Sequence, residues 1–243
     1  MTSKKRLQLV HTSDIHLGMY KHSDHASLAL TAVVDTVLRL EADMLLIAGD
    51  LFDHSRVPDE MLEFFTGQMS RLPVPVVLLP GNHDSYDSTS VYLREHFGSA
   101  ADGLHIVSST DGETIPFPDL GISVWGKAIE QHSPRFRPLQ GMPPRPEGDW
   151  FVAMAHGPFH YDYDKDERSS PILPEEIASA TCDYIALGHW DRFVDVSQNG
   201  VRACYSGTPT SMVGGNSLGG VAVVDLNPPG GVEVQRLSLD MGQ

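Results

Sequence analysis

The feature that most constrains this 243-residue chain is a set of five apolar stretches, each of which ends in aspartate, asparagine or histidine. The clearest is Met44–Ala48, which is followed directly by Gly49 and Asp50. An apolar run that stops at a glycine turn is typical of a buried strand, so we expect Asp50 at the carboxyl end of that strand. Its two carboxylate oxygens would suit two cations roughly 3.5–4 Å apart. For this segment alone, a turn with a solvated acid is the simpler interpretation.

Four further apolar stretches repeat the arrangement. They span residues 6–13, 75–79, 150–155 and 184–187, and they run into Asp14-Ile15-His16, Asn82-His83-Asp84, His156 and His189, respectively. Strand alternation places Asp14 and His16 on the same side of the chain, as neighbouring chelating groups. A single histidine after a strand is more often a hydrogen-bonded structural residue. Five strand ends with the same metal-ligand chemistry instead indicate one shared site.

The motifs, taken together, carry a family resemblance. SDIHLG, GDLFD, PGNHD, a single His-Gly and GHWD resemble the D-x-H, GD, GNH(D/E), H and GHxH series of the calcineurin-like metallophosphoesterases, in the same order. The likeness extends from Asp14 to Asp191. Within that superfamily, HTSDIHLG and AGDLFDHSRVP, with YSGTPTSM after the last motif, are most similar to the DNA repair exonuclease (SbcD-like nuclease subunit) branch.

The resemblance implies a site for two divalent metal ions, with ligands at the matching motif positions. One ion would be held by Asp14, His16 and Asp50, and the other by Asp50, Asn82, His156 and His189. A mixture of carboxylate, amide and imidazole ligands favours manganese, with iron, zinc or magnesium as alternatives.

One position departs from the family pattern, because Asp191 stands where the last motif has a second histidine. We expect Asp191 to coordinate the first ion and, as a harder oxygen ligand, to shift the preference toward manganese, iron or magnesium. The competing interpretation is that this side chain is too short to reach, so that the first ion is weakly bound or lost.

The resemblance also implies roles in catalysis and substrate binding. His83 would contact the phosphate and protonate the leaving oxygen, while Asp84 would orient and charge its imidazole. The residues expected to contact substrate are Asn82, His83, His54 and Arg192.

Two irregular loops carry charge. Residues 127–148 are rich in proline and glycine, and their arginines are Arg135, Arg137 and Arg145. This loop is either a solubilising surface segment or a rim that receives substrate phosphate. After His156, the acids Asp162, Asp164 and Asp166 alternate without the glycine and glutamate of a calcium loop, so we expect a solvated or lid-like loop.

The remaining pattern predicts an α/β fold. Amphipathic helices at 26–40 and 59–71 lie between the first three strands, which favours parallel βαβ units with the first three motifs on one sheet edge. Four closing strands at 193–196, 201–205, 220–225 and 232–239 are predicted to form a second sheet. The expected architecture, which the resemblance also implies, is a four-layer α/β/β/α sandwich of two sheets flanked by helices. We expect residues 1–243 to be a single metallophosphoesterase domain without the DNA-capping domain and ATPase-binding segment of the nuclease branch.

Charge and composition limit the binding partners and the cellular compartment that we expect for this protein. The net charge of −15 argues against extensive binding of duplex nucleic acid, which requires a basic surface. The two cysteines, Cys182 and Cys204, form no disulfide framework, and the short basic N-terminal segment does not resemble a signal peptide. No apolar run is long enough for a membrane span. We therefore expect a cytoplasmic protein without a membrane partner.

Three functions follow as hypotheses. The first is a metal-dependent phosphoesterase that hydrolyses a phosphodiester of a nucleotide or of a short, single-stranded nucleic acid. The second is a DNA exonuclease or endonuclease subunit of a repair complex, whose grip on DNA comes from a homodimer or another subunit. An ATPase partner is not expected without the C-terminal extension. The third is a non-catalytic scaffold of the same fold that binds a partner protein.

Overall fold

The computed structural model describes residues 4–19, 23–98, 103–161, 163–166, 168–210 and 219–239. The sequence predictions that involve Asp162, Ser211 and Met212 therefore lie outside the described residues. Among the helices of the described part, none combines the length and apolarity that a membrane crossing requires.

The first sheet contains six strands in the order β12-β11-β1-β2-β3-β4. Its strands are β1 (Leu7–Thr12), β2 (Met44–Ala48), β3 (Val76–Leu79), β4 (Leu104–Ile106), β11 (Gly220–Asn227) and β12 (Gly231–Ser238). The strands β1 to β4 are parallel, whereas β11 is antiparallel to both β1 and β12. Helices α1 (Ser23–Leu40) and α2 (Asp59–Met69) connect β1 to β2 and β2 to β3, as the sequence predicts.

The second sheet also contains six strands, in the order β5-β6-β7-β8-β10-β9. Its strands are β5 (Glu113–Phe117), β6 (Ile122–Gly126), β7 (Trp150–His156), β8 (Tyr184–Gly188), β9 (Phe193–Asp195) and β10 (Arg202–Ser206). The central strands β6, β7, β8 and β10 are parallel, and antiparallel β5 and β9 form the two edges. Short helices lie at α3 (Glu95–Gly98) and α4 (Pro174–Ala178), with a 3-10 turn at Val91–Leu93.

The prediction that the four closing strands form a sheet of their own is wrong. The strands β9 and β10 extend the second sheet, whereas β11 and β12 return to the first, where β11 pairs with β1. The strand β11 is buried on both faces, because Val223 packs toward the helices and Val224 packs toward the other sheet. Alternating apolar residues indicate a strand but do not specify its partner, so the sequence pattern could not assign β11 to the first sheet.

Three apolar clusters separate four layers. The first lies between α1 and α2 and the outer face of the first sheet, and includes Leu30 and Ile47. The second lies between the sheets, where Leu46 and Val152 are fully buried. The third covers the far face of the second sheet, where α4 contributes Ile177. The four-layer α/β/β/α sandwich is therefore confirmed, with α4 and irregular segments as its thin outer layer. Burial on both faces explains why the parallel strands are continuously apolar in sequence.

The two cysteines are free and buried, and they lie in different apolar clusters. Burial raises the pKa of both the Cys182 and Cys204 thiols to about 12, which keeps them protonated at neutral pH. The sequence prediction that they form no disulfide is therefore confirmed.

The carboxyl ends of the two sheets converge. His156, the last residue of β7, has its Nδ1 2.9 Å from the carbonyl oxygen of Ala48, the last residue of β2. The two residues belong to different sheets, so this hydrogen bond joins the strand ends that carry the motifs.

Candidate metal centre

The backbone is strained where the ligand motifs occur. Four of the six ligands implied by the matched motifs have a positive φ: Asp14 (55°), His16 (55°), Asp50 (51°) and His189 (108°). For residues other than glycine, such conformations cost on the order of 1–3 kcal/mol each and cluster at functional sites. The surrounding fold therefore holds these side chains in orientations that an unconstrained chain would avoid.

Two glycines make room for the ligands. A Cβ atom at Gly81 would lie 2.1 Å from Oδ1 of Asp50, and one at Gly49 would lie 2.1 Å from Nδ1 of His156. Gly49 also has a φ of 90°, a conformation that side chains rarely adopt. The glycines of GDLFD and PGNHD thus allow separate loops to approach the same carboxylate and imidazole.

One group of ligand atoms joins the ends of both sheets. It contains Asp50, His156 and His189, whose ligand atoms lie within 4.8 Å of one another. Nε2 of His156 lies 3.3 Å from Oδ2 of Asp50 and 3.1 Å from Oδ1 of Asn82. The same Asn82 oxygen lies 2.9 Å from Nδ1 of His189. Oxygen and nitrogen atoms from four motifs therefore converge on one point.

The chemistry of this group fits a divalent cation. In a neutral His156, Nδ1 donates its hydrogen to the Ala48 carbonyl, so Nε2 presents a lone pair to the two oxygens beside it. Burial alone would lower the pKa of His156, but Asp50 and Asp14 raise it to about 9, which shows that the site favours positive charge. Burial and His156 lower the pKa of His189 to about 3, which keeps this imidazole in the neutral form that metals bind.

A second group shares Asp50. It contains His16, Asp50 and His83, again with ligand atoms within 4.8 Å of one another. The His16 and His83 rings meet edge to face, with centroids 4.7 Å apart. Asp50 belongs to both groups, which is the arrangement expected of a carboxylate that bridges two ions. The structure thus groups His83, rather than Asp14, with His16 and Asp50.

Asp14 lies beside these groups but outside them. Its Oδ2 accepts hydrogen bonds from Oγ of Ser13 at 2.5 Å and from the backbone N–H of His189 at 2.9 Å. Burial raises the pKa of Asp14 to about 6, and the neighbouring charge of Asp50 also raises it. Metal ligation by Asp14 stays a prediction, and the structure shows that its carboxylate also fixes the backbone of His189.

Asp53 is a site residue that the sequence reasoning missed. Its backbone oxygen lies 2.9 Å from Nδ1 of His83, and its carboxylate lies 3.7 Å from the same nitrogen. The carboxylate also lies 3.2 Å from Nδ1 of His16. The available signal was the second aspartate of GDLFD, three residues after Asp50.

The predicted contact between Asp84 and His83 is not found. Asp84 is fully buried, and it accepts hydrogen bonds from the backbone N–H groups of Phe52 at 3.0 Å and Gly81 at 2.7 Å. Its third donor is the Tyr92 hydroxyl, at 2.5 Å. No hydrogen bond joins Asp84 to His83 in the described part of the chain. Asp84 therefore ties the motif loops together, and Asp53 occupies the position beside His83 that the sequence reasoning gave to Asp84.

Three further predicted residues lie outside the two ligand groups. Asp191 and Arg192 line a pocket of about 690 Å³ beside His189, and Asp191 belongs to neither ligand group among the described residues. His54 accepts a hydrogen bond from the backbone N–H of Arg56 at 3.2 Å. Metal ligation by Asp191 and substrate binding by His54 and Arg192 stay predictions.

The loop at 127–148 reaches the centre through a residue that the sequence analysis did not select. The ring of His132 lies 5.9 Å from that of His189, and its Nδ1 lies 2.9 Å from Oγ of Ser170. Arg145 instead forms an ion pair with Asp183, and Arg137 lines a separate pocket near α4. Both arginines therefore have contacts away from the two ligand groups.

Comparisons with known proteins identify relatives of this chain. The family model described as calcineurin-like phosphoesterase matches residues 7–192. The uncharacterized metallophosphoesterase YhaO of Bacillus subtilis is 26% identical over 212 residues, which cover 75% of this chain and 48% of that protein. The DNA double-strand break repair protein Mre11 of Nanoarchaeum equitans is 30% identical over 96 residues, which cover 36% of this chain and 26% of that protein. The chain thus spans about half, or less, of the length of these relatives.

Solved structures match along nearly the whole chain. The protein TT1561 of Thermus thermophilus has a TM-score of 0.62 at 12% identity, covering 97% of this chain and 100% of that chain. A protein described as a novel archaeal phosphodiesterase has a TM-score of 0.52 at 14% identity, covering 96% of this chain and 100% of that chain. At such low identity the likeness shows the fold alone.

Proposed function

The chain belongs to the calcineurin-like phosphoesterase family, and we propose that this metallophosphoesterase hydrolyses a phosphodiester of a nucleotide or short nucleic acid at a two-metal centre. The observation that carries the proposal is the position of Asp50, which is shared by two groups of ligand atoms at the convergent strand ends. Two divalent cations, when bound there, would lower the pKa of a water molecule and neutralise phosphoryl oxygens. Manganese stays the preferred ion, with iron, zinc or magnesium as alternatives.

Residues of the chain would orient the substrate phosphate and supply a proton to the leaving group. Asp50, His156 and Asn82 present fixed oxygen and nitrogen atoms, so that a phosphate drawn into the centre would meet a preorganised site. His83 is suited to the leaving group, because 44% of its side chain is exposed. Its Nδ1 is directed at the Asp53 carbonyl, which leaves Nε2 for the substrate. The Asp53 carboxylate lies 3.7 Å from the same nitrogen, and the imidazole would donate a proton to the leaving oxygen.

Preference for a diester rests on chemistry and on the names of similar proteins. Mre11 is described as a DNA repair protein and one structural neighbour as a phosphodiesterase, and both names refer to those proteins. The net charge of −15 disfavours binding of a long duplex, because affinity for a long polyanion comes mainly from basic groups that neutralise its phosphates. A small or single-stranded diester is consistent both with the names of these similar proteins and with the acidic net charge of this chain.

A DNA nuclease subunit is the second candidate. The observation that favours it is the similarity of this chain to Mre11. In this case the grip on DNA would come from a second copy or another subunit, since this chain is acidic.

A substrate panel separates these functions. Metal-free protein is loaded with manganese and given a bis-aryl phosphate, an aryl monophosphate, and labelled single-stranded and duplex DNA. We expect turnover of the bis-aryl phosphate and of single-stranded ends. Turnover should be lost in Asp50→Asn and kept in Asp119→Asn, an exposed position on the turn after β5. Duplex cleavage with steep salt dependence would support the nuclease instead. Silence on every substrate would contradict both and favour a scaffold.

A further inference from the structure

A row of stacked aromatic rings lies beside the metal centre. The Tyr205 ring stacks on Trp190 with centroids 4.3 Å apart, Trp190 stacks on Tyr161 at 6.1 Å, and Tyr161 stacks on Tyr163 at 5.1 Å. The angles between successive ring planes are 21°, 18° and 7°, so the rings face one another along the row. The aromatic row, as we call these four rings, begins in the core and ends in solvent.

The buried end of the aromatic row is rigid. Tyr205 is fully buried, and its hydroxyl donates a hydrogen bond to the Gly157 carbonyl at 2.7 Å. Trp190 is thus positioned against a ring that cannot rotate away. At the other end Tyr163 is 74% exposed. A tyrosine ring this open to water contributes little buried area to the stability of the fold. An exposed ring held at the end of an ordered stack is typical of a surface that binds another flat ring.

Three rings of the aromatic row, those of Tyr161, Tyr163 and Trp190, line a pocket of about 690 Å³ that His189 also lines. This size lies within the range of pockets that bind small organic ligands. His189 belongs to the ligand group with Asp50 and His156, so the pocket and the centre where the phosphate would bind share this side chain. A ligand could therefore place a phosphate on the metals and a neighbouring flat group on the aromatic row.

The rest of the wall is polar and of mixed charge. Arg168 and Arg192 line it together with Asp191, and Arg168 is paired with Asp164 at 3.7 Å. No ion pair is found for Arg192 within the described ranges, so its guanidinium is available to a phosphate or to a base. The Asp191 carboxylate would accept hydrogen bonds from an exocyclic amine. Aromatic faces with interspersed arginines are the combination that binds single-stranded nucleic acid.

We infer that the outer face of Tyr163, supported by Tyr161 and Trp190 behind it, forms a nucleobase-stacking subsite for the base adjoining the scissile phosphate, with Arg192 and Asp191 at its edge. The inference rests on the proposed function and narrows its substrate to diesters that carry an unpaired base. A stacked base is worth about 1–3 kcal/mol, so loss of the stacking ring should weaken binding about 5- to 140-fold. Binding through a stacked base requires few phosphate contacts, which is consistent with the acidic net charge of the chain.

A binding measurement tests the subsite without turnover. Metal-free protein is titrated into a short labelled oligothymidylate, and into an abasic sugar-phosphate of the same length, with fluorescence anisotropy as the readout. We expect the base-containing strand to bind at least about 5-fold more tightly. This difference should vanish in Tyr163→Ala and remain in Tyr163→Phe, which keeps the ring. Leu93→Ala, an exposed apolar position outside the pocket lining, should leave it unchanged.

The outcomes separate this inference from the proposed function. Equal affinity for the two strands, no binding of either, or a base-dependent difference that survives Tyr163→Ala would overturn the subsite, even if the manganese-loaded protein hydrolyses aryl diesters. Base-dependent binding with no turnover of any ester would keep the subsite and refute the proposed hydrolysis. Trp190→Phe is a second variant, since it preserves a ring against Tyr205 and should weaken the difference less than Tyr163→Ala.

Discussion

The carboxylate of Asp53 lies 3.7 Å from Nδ1 of His83, and the backbone oxygen of Asp53 lies 2.9 Å from the same atom. The carbonyl and the carboxylate together hold the His83 ring in its orientation. We expect Asp53→Asn to lower turnover of esters with poor leaving groups about 10- to 100-fold, since partners that orient a site histidine have effects of this size. Esters of p-nitrophenol should be affected less, because that leaving group needs little protonation. Steady-state kinetics on both substrates provide the check.

His83→Ala tests whether His83 acts as a proton donor or as a metal ligand. Removal of the imidazole should abolish most turnover of poor leaving groups while both metal ions stay bound, because His83 is not among the six ligands that the family resemblance implies. Metal content is measured by elemental analysis after dialysis. The structure also places His83 in a ligand group with His16 and Asp50, so loss of one metal equivalent would show that His83 is a ligand and not a proton donor.

Asp84 should matter for stability. Its buried carboxylate satisfies the N–H groups of Phe52 and Gly81 and the hydroxyl of Tyr92, so Asp84→Ala leaves three donors without their partner. At about 1–3 kcal/mol for each unsatisfied group, the free energy of unfolding should fall by roughly 3 kcal/mol or more. Urea unfolding of metal-free protein measures this free energy. Asp53→Asn is the matched control, and its free energy of unfolding should change by less than about 1 kcal/mol. Equal losses in both variants would refute the structural assignment of Asp84.

The sequence predicts the strand ends better than their connections. The positions of Asp50 and His156 follow from apolar runs that stop at a glycine turn or a histidine, because a strand's burial and end are local properties. The partner of His83 depends on how the segment between β2 and α2 folds back, so the choice between Asp53 and Asp84 needed coordinates. The placement of β11 beside β1 joins residues more than 200 positions apart, such as Leu9 and Val224, and no local pattern contains it.

Asp50→Asn should cost both metal ions, because the same carboxylate belongs to both ligand groups. The amide has one oxygen acceptor and no charge, so it cannot balance two cations. Calorimetric titration should show two manganese ions bound per chain for the parent protein and for Asp119→Asn. For Asp50→Asn it should show no manganese binding of comparable affinity. Retention of both equivalents would eliminate the bridging role.

Gly81 and Gly67 make a matched pair of glycine-to-alanine substitutions. A Cβ at Gly81 would lie 2.1 Å from Oδ1 and 2.4 Å from the backbone nitrogen of Asp50, so either that carboxylate or the strand end must move. At Gly67, in α2, a Cβ would meet nothing within 4 Å, and alanine should stabilise the helix by about 0.5–1 kcal/mol. We therefore expect Gly81→Ala to weaken manganese binding at least 10-fold and Gly67→Ala to leave it unchanged while raising stability. Calorimetric titration and urea unfolding measure the two effects, and unaltered manganese affinity in Gly81→Ala would show that the Asp50 carboxylate does not need its observed position to bind the ions.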